Sequence, residues 1–264
     1  MATLVTFHAH PDDECIIVGG VMRKAYEEGH RVVLVVATQG EHGEVEEGFL
    51  TEGETLRERR IAETHAAAGI LGAQRVEFLG YTDSGMMGEP ENDAEGSFWT
   101  APVEEAAEKL AAILREENAD VLTVYDDNGG YGHPDHIQVH RVGVRAAELA
   151  GTERVYQATQ NRDEIRRGFE AAVAEGADMS EFGEDLEFLK TIGKPEAELT
   201  AKVDVTAYLE HKRQAMRAHA SQIAEDSWFL AQSEEAFRFQ FGTEWFIREG
   251  QGPGITEKDL LAGL

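Results

Sequence analysis

Short, nearly continuous apolar runs alternate with segments of helical periodicity over the first 160 residues. Runs of this kind are typical of strands covered on both faces. They predict strands at residues 4–7, 32–37, 76–79, 121–125 and 154–158. Helical spacing between them predicts helices at 18–28, 54–71, 102–117 and 137–150. The alternation predicts an α/β fold: a three-layer, Rossmann-like domain with a mostly parallel sheet.

The last hundred residues are less regular. Their pattern predicts helices at residues 161–175 and 208–223, a strand at 198–205 and an aromatic-rich segment at 237–247. We expect one domain over residues 1–264, with a core at 1–160 and an irregular C-terminal extension at 161–264 that covers the site.

Polar residues concentrate in the loops that follow the first four predicted strands. These loops comprise residues 8–14, 40–53, 80–101 and 126–136. The carboxyl ends of parallel strands lie at one edge of a sheet, and ligands of such sheets bind beyond that edge. We therefore expect the four loops to meet and to form the functional site.

Charge and composition narrow the choice of partners. The chain carries 51 acidic and 24 basic residues, a net charge of −27, which repels phosphate backbones and anionic lipid. No apolar run approaches the roughly 20 residues of a membrane helix. Cys15 is the only cysteine, and the first residues show no secretory signal. We expect a cytoplasmic protein that acts on a small molecule, without nucleic-acid or membrane partners; homo-oligomerisation stays open.

Two of the predicted loops carry imidazole next to carboxylate. The first reads HAHPDDE at residues 8–14, and the second reads HPDH at 133–136. Imidazole and carboxylate together suit zinc or a similar divalent metal, which makes bound water acidic enough to act near neutral pH. A single His-Pro-Asp segment is more often a turn. Two of them at the ends of parallel strands favour a metal site.

These motifs identify a resemblance to the LmbE-like, PIG-L family of zinc-dependent de-N-acetylases. The resemblance is close over about the first 150 residues and extends to residues 218–222 (AHASQ). Smaller matches at residues 40–44, 60–63, 83–86 and 125–136 resemble the mycothiol branch of the family, which includes a deacetylase and an S-conjugate amidase. Residues 176–200 match nothing in that branch, and we expect them to shape the pocket.

The resemblance implies a role for each matching residue. One zinc ion, or another divalent metal, would be held by His10, Asp13 and His136. Asp12 would be the general base that activates water and later protonates the leaving amine. His133 would stabilise the oxyanion or help with proton transfer, and Asp135 would tune His133. Tyr131 would polarise the scissile carbonyl. The residues implied to hold substrate are Glu44, Arg60 and Asp83.

The favoured function is N-deacetylation of an amino-sugar conjugate. An S-conjugate amidase and a tailoring deacetylase of secondary metabolism are alternatives, as is a non-catalytic sugar-binding protein. A Rossmann-type cofactor enzyme is excluded because the first turn lacks the glycine fingerprint that pyrophosphate requires. For His8, Cys15 and His219 we expect structural roles.

Overall fold

The computed structural model describes residues 1–174 and 188–264, and a mixed sheet forms the centre of the described part. Five parallel strands lie within two residues of their predicted bounds: β1 (Thr3–His8), β2 (Arg31–Val36), β3 (Arg75–Phe78), β4 (Val121–Tyr125) and β5 (Arg154–Thr159). Their order is β3-β2-β1-β4-β5. The chain order therefore reverses between β1 and β4, which lie side by side and parallel.

Helices cover both faces of this sheet. Along the chain they are α1 (Asp13–Ile17), α2 (Gly19–Glu27), α3 (Leu56–Leu71), α4 (Val103–Glu117), α5 (Pro134–Ala150), α6 (Arg162–Ala174), α7 (Phe188–Thr191), α8 (Leu209–Ala218) and α9 (Glu234–Phe241). In β2, Val32, Leu34 and Val36 pack with α2, α3 and α8, whereas Val33 and Val35 pack with α4 and α5. Successive side chains of a strand point to opposite faces. The predicted three-layer α/β fold is confirmed.

The C-terminal part is more regular than expected. It adds β7 (Thr243–Arg248), antiparallel to β5, and β6 (Ala201–Asp204), antiparallel to β7, so that it extends the sheet. The predicted helix at 208–223 ends at Ala218, and the predicted helix at 18–28 is preceded by α1, with a break at Val18. None of the described helices is long and apolar enough to cross a membrane.

A buried ion pair joins α8 to the added edge of the sheet. Lys212 Nζ lies 2.5 Å from Glu244 Oε1, and the two side chains are 1% and 2% exposed. Glu244 also accepts the backbone N–H groups of Gly20 and Val21, both at 2.8 Å, at the start of α2. A buried carboxylate costs several kcal/mol when it loses its partner. This ion pair therefore connects α8 and β7, in the C-terminal part, to the start of α2.

Lys212→Met should lower the free energy of unfolding by about 3–5 kcal/mol, because it leaves Glu244 buried without a counter-charge. Adding Glu244→Gln should recover part of the loss, since the second change removes that charge. Urea denaturation of both variants measures the effect, with exposed Lys258→Met as the matched control. A Lys212→Met variant as stable as the wild type would contradict the stabilising role of the Lys212–Glu244 ion pair.

Candidate metal centre and active site

The four predicted loops meet at the carboxyl edge of the sheet. Arg60 Nη1 on α3 donates to Gly40 O in the second loop at 2.7 Å, and its Nη2 donates to Pro11 O in the first loop at 2.6 Å. The third and fourth loops join where Ser84 N donates to Asp135 Oδ2 at 2.9 Å. The expected gathering of the loops is thus confirmed, and its centre lies where β1 and β4 are neighbours.

One carboxylate oxygen links the first loop to α5. Asp13 Oδ2 accepts the backbone N–H of His10 at 2.9 Å and lies 3.4 Å from His10 Nδ1. The same oxygen lies 3.4 Å from His136 Nε2. All three residues are buried. The structure therefore brings together the three predicted ligands around a single oxygen.

The position of the HPDH motif, residues 133–136, is determined by the turn that precedes it and by the start of α5. Asp126, fully buried, accepts the backbone N–H groups of Asn128 and Gly130 at 3.0 and 2.9 Å. Gly129 has a φ of 61°, and a Cβ there would lie 2.5 Å from His136 Cβ, so only glycine fits. The glycine-rich turn thus allows His136 to lie beside the loop.

Hydrogen bonds fix which nitrogen of each imidazole is free. His136 Nδ1 lies 3.2 Å from the carbonyl oxygen of Gly129, so Nδ1 carries the proton and Nε2, buried without a hydrogen-bond partner, offers its lone pair. His133 Nδ1 accepts the backbone N–H of Asp135 at 3.1 Å, so in the neutral ring Nε2 carries the proton. His136 is therefore arranged as a metal ligand, and His133 as a hydrogen-bond donor.

The carboxylate of Asp135 contacts His10, and its charge also raises the pKa of His133 against the stronger effect of burial. Asp135 Oδ2 lies 3.1 Å from His10 Nε2, while the contact with His133 runs through the Asp135 backbone. Ser84 donates to Asp135 with both its N–H and its hydroxyl. A carboxylate on one ring nitrogen orients the other toward a metal. His10 Nδ1 is thus the nitrogen on the Asp13 side.

The buried charges shift the pKa values of the central residues. Burial raises the pKa of Asp12 to about 6, against the opposing charge of Arg60. Burial, aided by the charge of His10, lowers the pKa of His133 to about 4, which keeps its ring neutral. Burial also disfavours charge on Asp13, but His136 and His10 hold its pKa well below the usual value. Neighbouring Asp12 and Asp13 are therefore driven in opposite directions.

The residues expected to hold substrate occupy different positions. Asp83 is buried, with Oδ1 3.5 Å from His10 Nε2. Arg60 is also buried; besides its two carbonyl contacts, its Nη2 donates to Asp12 Oδ2 at 3.3 Å, so its guanidinium supports the Asp12 loop. Glu44 is exposed, and its carbonyl oxygen accepts from Gln222. Tyr131 is 53% exposed, with its ring 5.0 Å from that of His136.

Ligand atoms of the site lie close enough for one metal ion. Ring nitrogens of His10, His133 and His136 lie within 4.8 Å of one another, so this group of described residues could hold a metal ion. This set differs from the predicted one by containing His133 in place of Asp13. The proton on His133 Nε2 argues against ligation by that nitrogen, whereas Asp13 Oδ2 faces both other rings. The orphaned Nε2 of His136 fits a metal ligand.

Sequence reasoning left several contributing residues without an active role. Ser84 bonds Asp135 across 51 positions, and His219 Nε2 lies 2.6 Å from Glu14 Oε1 across 205 positions. Both residues lie in segments that resemble the family, but their partners cannot be read from spacing. Of the segment 176–200, expected to shape the pocket, residues 176–187 lie outside the described residues. Gly193 N donates to Gly130 O at 2.7 Å and so contacts the Tyr131 loop.

Fold and site together define the class, a metal-dependent enzyme that hydrolyses amide bonds. Residues 5–147 match the model of the PIG-L family, described as GlcNAc-PI de-N-acetylase, and the chain belongs to this family. A "1D-myo-inositol 2-acetamido-2-deoxy-alpha-D-glucopyranoside deacetylase 1" of Catenulispora acidiphila is 40% identical, covering 99% of this chain and 89% of its own length.

Further similarities agree with this assignment. The deacetylase of the same description from Acidothermus cellulolyticus is also 40% identical, covering 99% of this chain and 95% of its own length. Among solved structures, an N,N'-diacetylchitobiose deacetylase from Pyrococcus horikoshii superposes with a TM-score of 0.59 at 22% identity, covering 93% of this chain and 83% of that one. At that identity the superposition supports the fold alone.

Proposed function

We propose that this chain removes the acetyl group from the N-acetylglucosaminyl conjugate of inositol, releasing acetate and the free amino sugar. The observation that carries the proposal is the 40% identity, over 99% of the chain, to deacetylases described by this substrate. The site supports the proposal, because a carboxylate with a raised pKa lies next to the metal-binding group. We also infer that residues 1–264 act as one catalytic domain.

We assign the metal ligands as His10 through Nδ1, Asp13 through Oδ2 and His136 through Nε2. Two imidazoles and one carboxylate are a ligand set that suits zinc. When bound, the metal would polarise the amide carbonyl and acidify the attacking water. Asp135 and Ser84 would hold His10 with its Nδ1 toward Asp13, since the carboxylate occupies the opposite nitrogen.

Asp12 takes the proton of the attacking water in this mechanism and returns it to the leaving nitrogen. Its side chain is 19% exposed, more than the 11% of Asp13, so a substrate can reach it. The pKa of about 6 suits a group that must both accept and donate a proton near neutral pH. The guanidinium of Arg60 supports its Oδ2 from the other side.

Negative charge develops on the carbonyl oxygen as water adds to the amide carbon. His133 can donate its Nε2 proton to that oxygen because its Nδ1 is occupied by the Asp135 amide. Tyr131, on the same loop, is exposed enough to approach the substrate. Partial desolvation and the charge of Asp13 hold the pKa of its phenol above the usual value, so it stays a donor. Glu44 would bind sugar hydroxyls at the rim, and Asp83 would do so deeper in the site, beside His10.

The first test distinguishes the role of Asp12 from that of Asp13. Asp12→Asn should retain zinc but lower kcat by about 10²–10⁴-fold, the usual contribution of general acid–base catalysis. Asp13→Asn should instead lower zinc occupancy, because it removes the oxygen that faces both imidazoles. Elemental analysis and steady-state kinetics on both variants provide the measurement. Equal loss of zinc in the two variants would show that the roles are divided wrongly.

Tyr131→Phe should stay folded and zinc-loaded and lose about 10-fold or more in kcat, because it lacks a donor used mainly in the transition state. KM should change little. If Tyr131 only packs under its loop, the Tyr131→Phe variant should instead lose thermal stability and metal occupancy first. Unchanged kcat in the fully metallated variant would remove Tyr131 from the mechanism and leave His133 as the protein donor.

The substrate is tested by comparing acetate release from N-acetylglucosaminyl inositol with cleavage of a mycothiol S-conjugate and with free N-acetylglucosamine. We expect kcat/KM for the inositol conjugate to exceed the other two by about 10-fold or more, because free N-acetylglucosamine lacks the inositol hydroxyls and the S-conjugate carries an acyl group larger than acetyl. Faster cleavage of the S-conjugate would favour an amidase. No turnover of any of them by zinc-loaded protein would argue for a binding protein.

A further inference from the structure

The backbone of Asp12 has an unusual conformation for a residue with a side chain. Its φ and ψ are 98° and −32°, and Asn118 is the other described residue, glycine apart, with positive φ. Asn118 ends α4 in the ordinary left-handed region, with φ 49° and ψ 53°. Asp12 lies outside that region, in a conformation that is strained for a residue with a side chain and persists only if its surroundings hold it. The neighbours that hold Asp12 therefore decide where its carboxylate points.

The side chain of Glu14 fixes the backbone N–H of Asp12 through a hydrogen bond. Its Oε2 accepts the Asp12 N–H at 3.0 Å, and its Oε1 lies 2.6 Å from His219 Nε2. Glu14 and His219 are both fully buried. A buried carboxylate with one oxygen on a backbone amide needs a partner for the other oxygen, and His219 provides it. The Asp12 carbonyl is held as well, since it accepts from the Cys15 backbone N–H at 3.1 Å.

His219 is itself fixed by the C-terminal part of the chain. It follows α8 directly, and its carbonyl oxygen accepts the N–H groups of Gln222 and Ile223, both at 2.9 Å. Ser221 adds two hydrogen bonds to Glu63 on α3, at 3.0 and 2.6 Å. Among the described residues, His219 Nδ1 is buried without a hydrogen-bond partner, and the hydrogen bond of this ring is the one to Glu14.

We propose that Glu14 and His219 are positioning residues that hold Asp12 in its strained conformation, so that the C-terminal part of the chain orients the general base. The inference rests on the proposed function, in which Asp12 is that base. His219 touches neither the substrate atoms nor the metal ligands in this scheme; it acts through Glu14 on the backbone of Asp12. The competing explanation is a buried pair that only stabilises the fold.

His219→Leu and His219→Gln separate these explanations, because glutamine can place an N–H donor near the position of Nε2 and leucine cannot. In zinc-loaded, folded His219→Leu we expect kcat to fall about 10- to 100-fold with KM within about twofold, the scale of a displaced catalytic group. His219→Gln should restore most of the loss. Exposed His65→Leu on α3 is the matched control. If leucine prevents folding, His219→Asn, whose shorter amide falls short of Glu14, replaces it.

A double-mutant cycle with Asp12→Asn supplies the decisive readout. If His219 acts through Asp12, adding the His219 change to Asp12→Asn should lower the residual rate no further. Wild-type kcat in folded, zinc-loaded His219→Leu, or an undiminished effect of the change in the Asp12→Asn background, would overturn the positioning role. Failure of the proposed function would be distinct, since Asp12→Asn alone would then keep wild-type kcat.

Discussion

The parallel pairing of β1 with β4 is the constraint on which the site depends. Register pairs Leu4 with Val121 and Thr6 with Thr123, so both strands end at the same edge of the sheet. The chain order reverses between them, and the helices that follow leave on opposite faces. A crevice therefore opens between the two loops that carry the histidines and aspartates. Without this pairing, His10 and Asp13 could not lie beside His136, which is more than 120 positions away in the chain.

Within the crevice, hydrogen bonding gives similar residues different chemistry. The backbone carbonyl of Gly129 frees Nε2 of His136, whereas the Asp135 amide occupies Nδ1 of His133. In the same way, Asp13 lies between two imidazoles, while Asp12 is desolvated and paired with Arg60. The two residues of each kind can therefore divide ligation from proton transfer. This division follows from backbone contacts as much as from the identity of the side chains.

The sequence was most informative where local pattern and burial coincide. Strands β1 to β5 are apolar because both faces are covered, and their bounds followed directly. The pairing of β7 between β5 and β6 could not be predicted, because it joins segments far apart in the chain and no local pattern specifies which strands pair.

The site, too, could be predicted only in part from the sequence. The loops that carry His10, Asp13 and His136 could be placed from the ends of the strands. The contacts of Asp135 with His10 and of His219 with Glu14 could not, because they join residues 125 and 205 positions apart. Such contacts depend on the angle at which each loop leaves the sheet, and on the packing of α8 against α3. Local spacing does not specify either of these.

The most direct test of the account is the coordination of the metal in a crystal structure of the zinc-loaded protein, with the ion located by anomalous scattering. The account predicts one zinc ion per chain with bonds of about 2.0–2.2 Å to nitrogen and oxygen. Its protein ligands should be His10 Nδ1, Asp13 Oδ2 and His136 Nε2, with His133 unbound. Zinc held by three imidazoles, with Asp13 displaced from the ion, would contradict it.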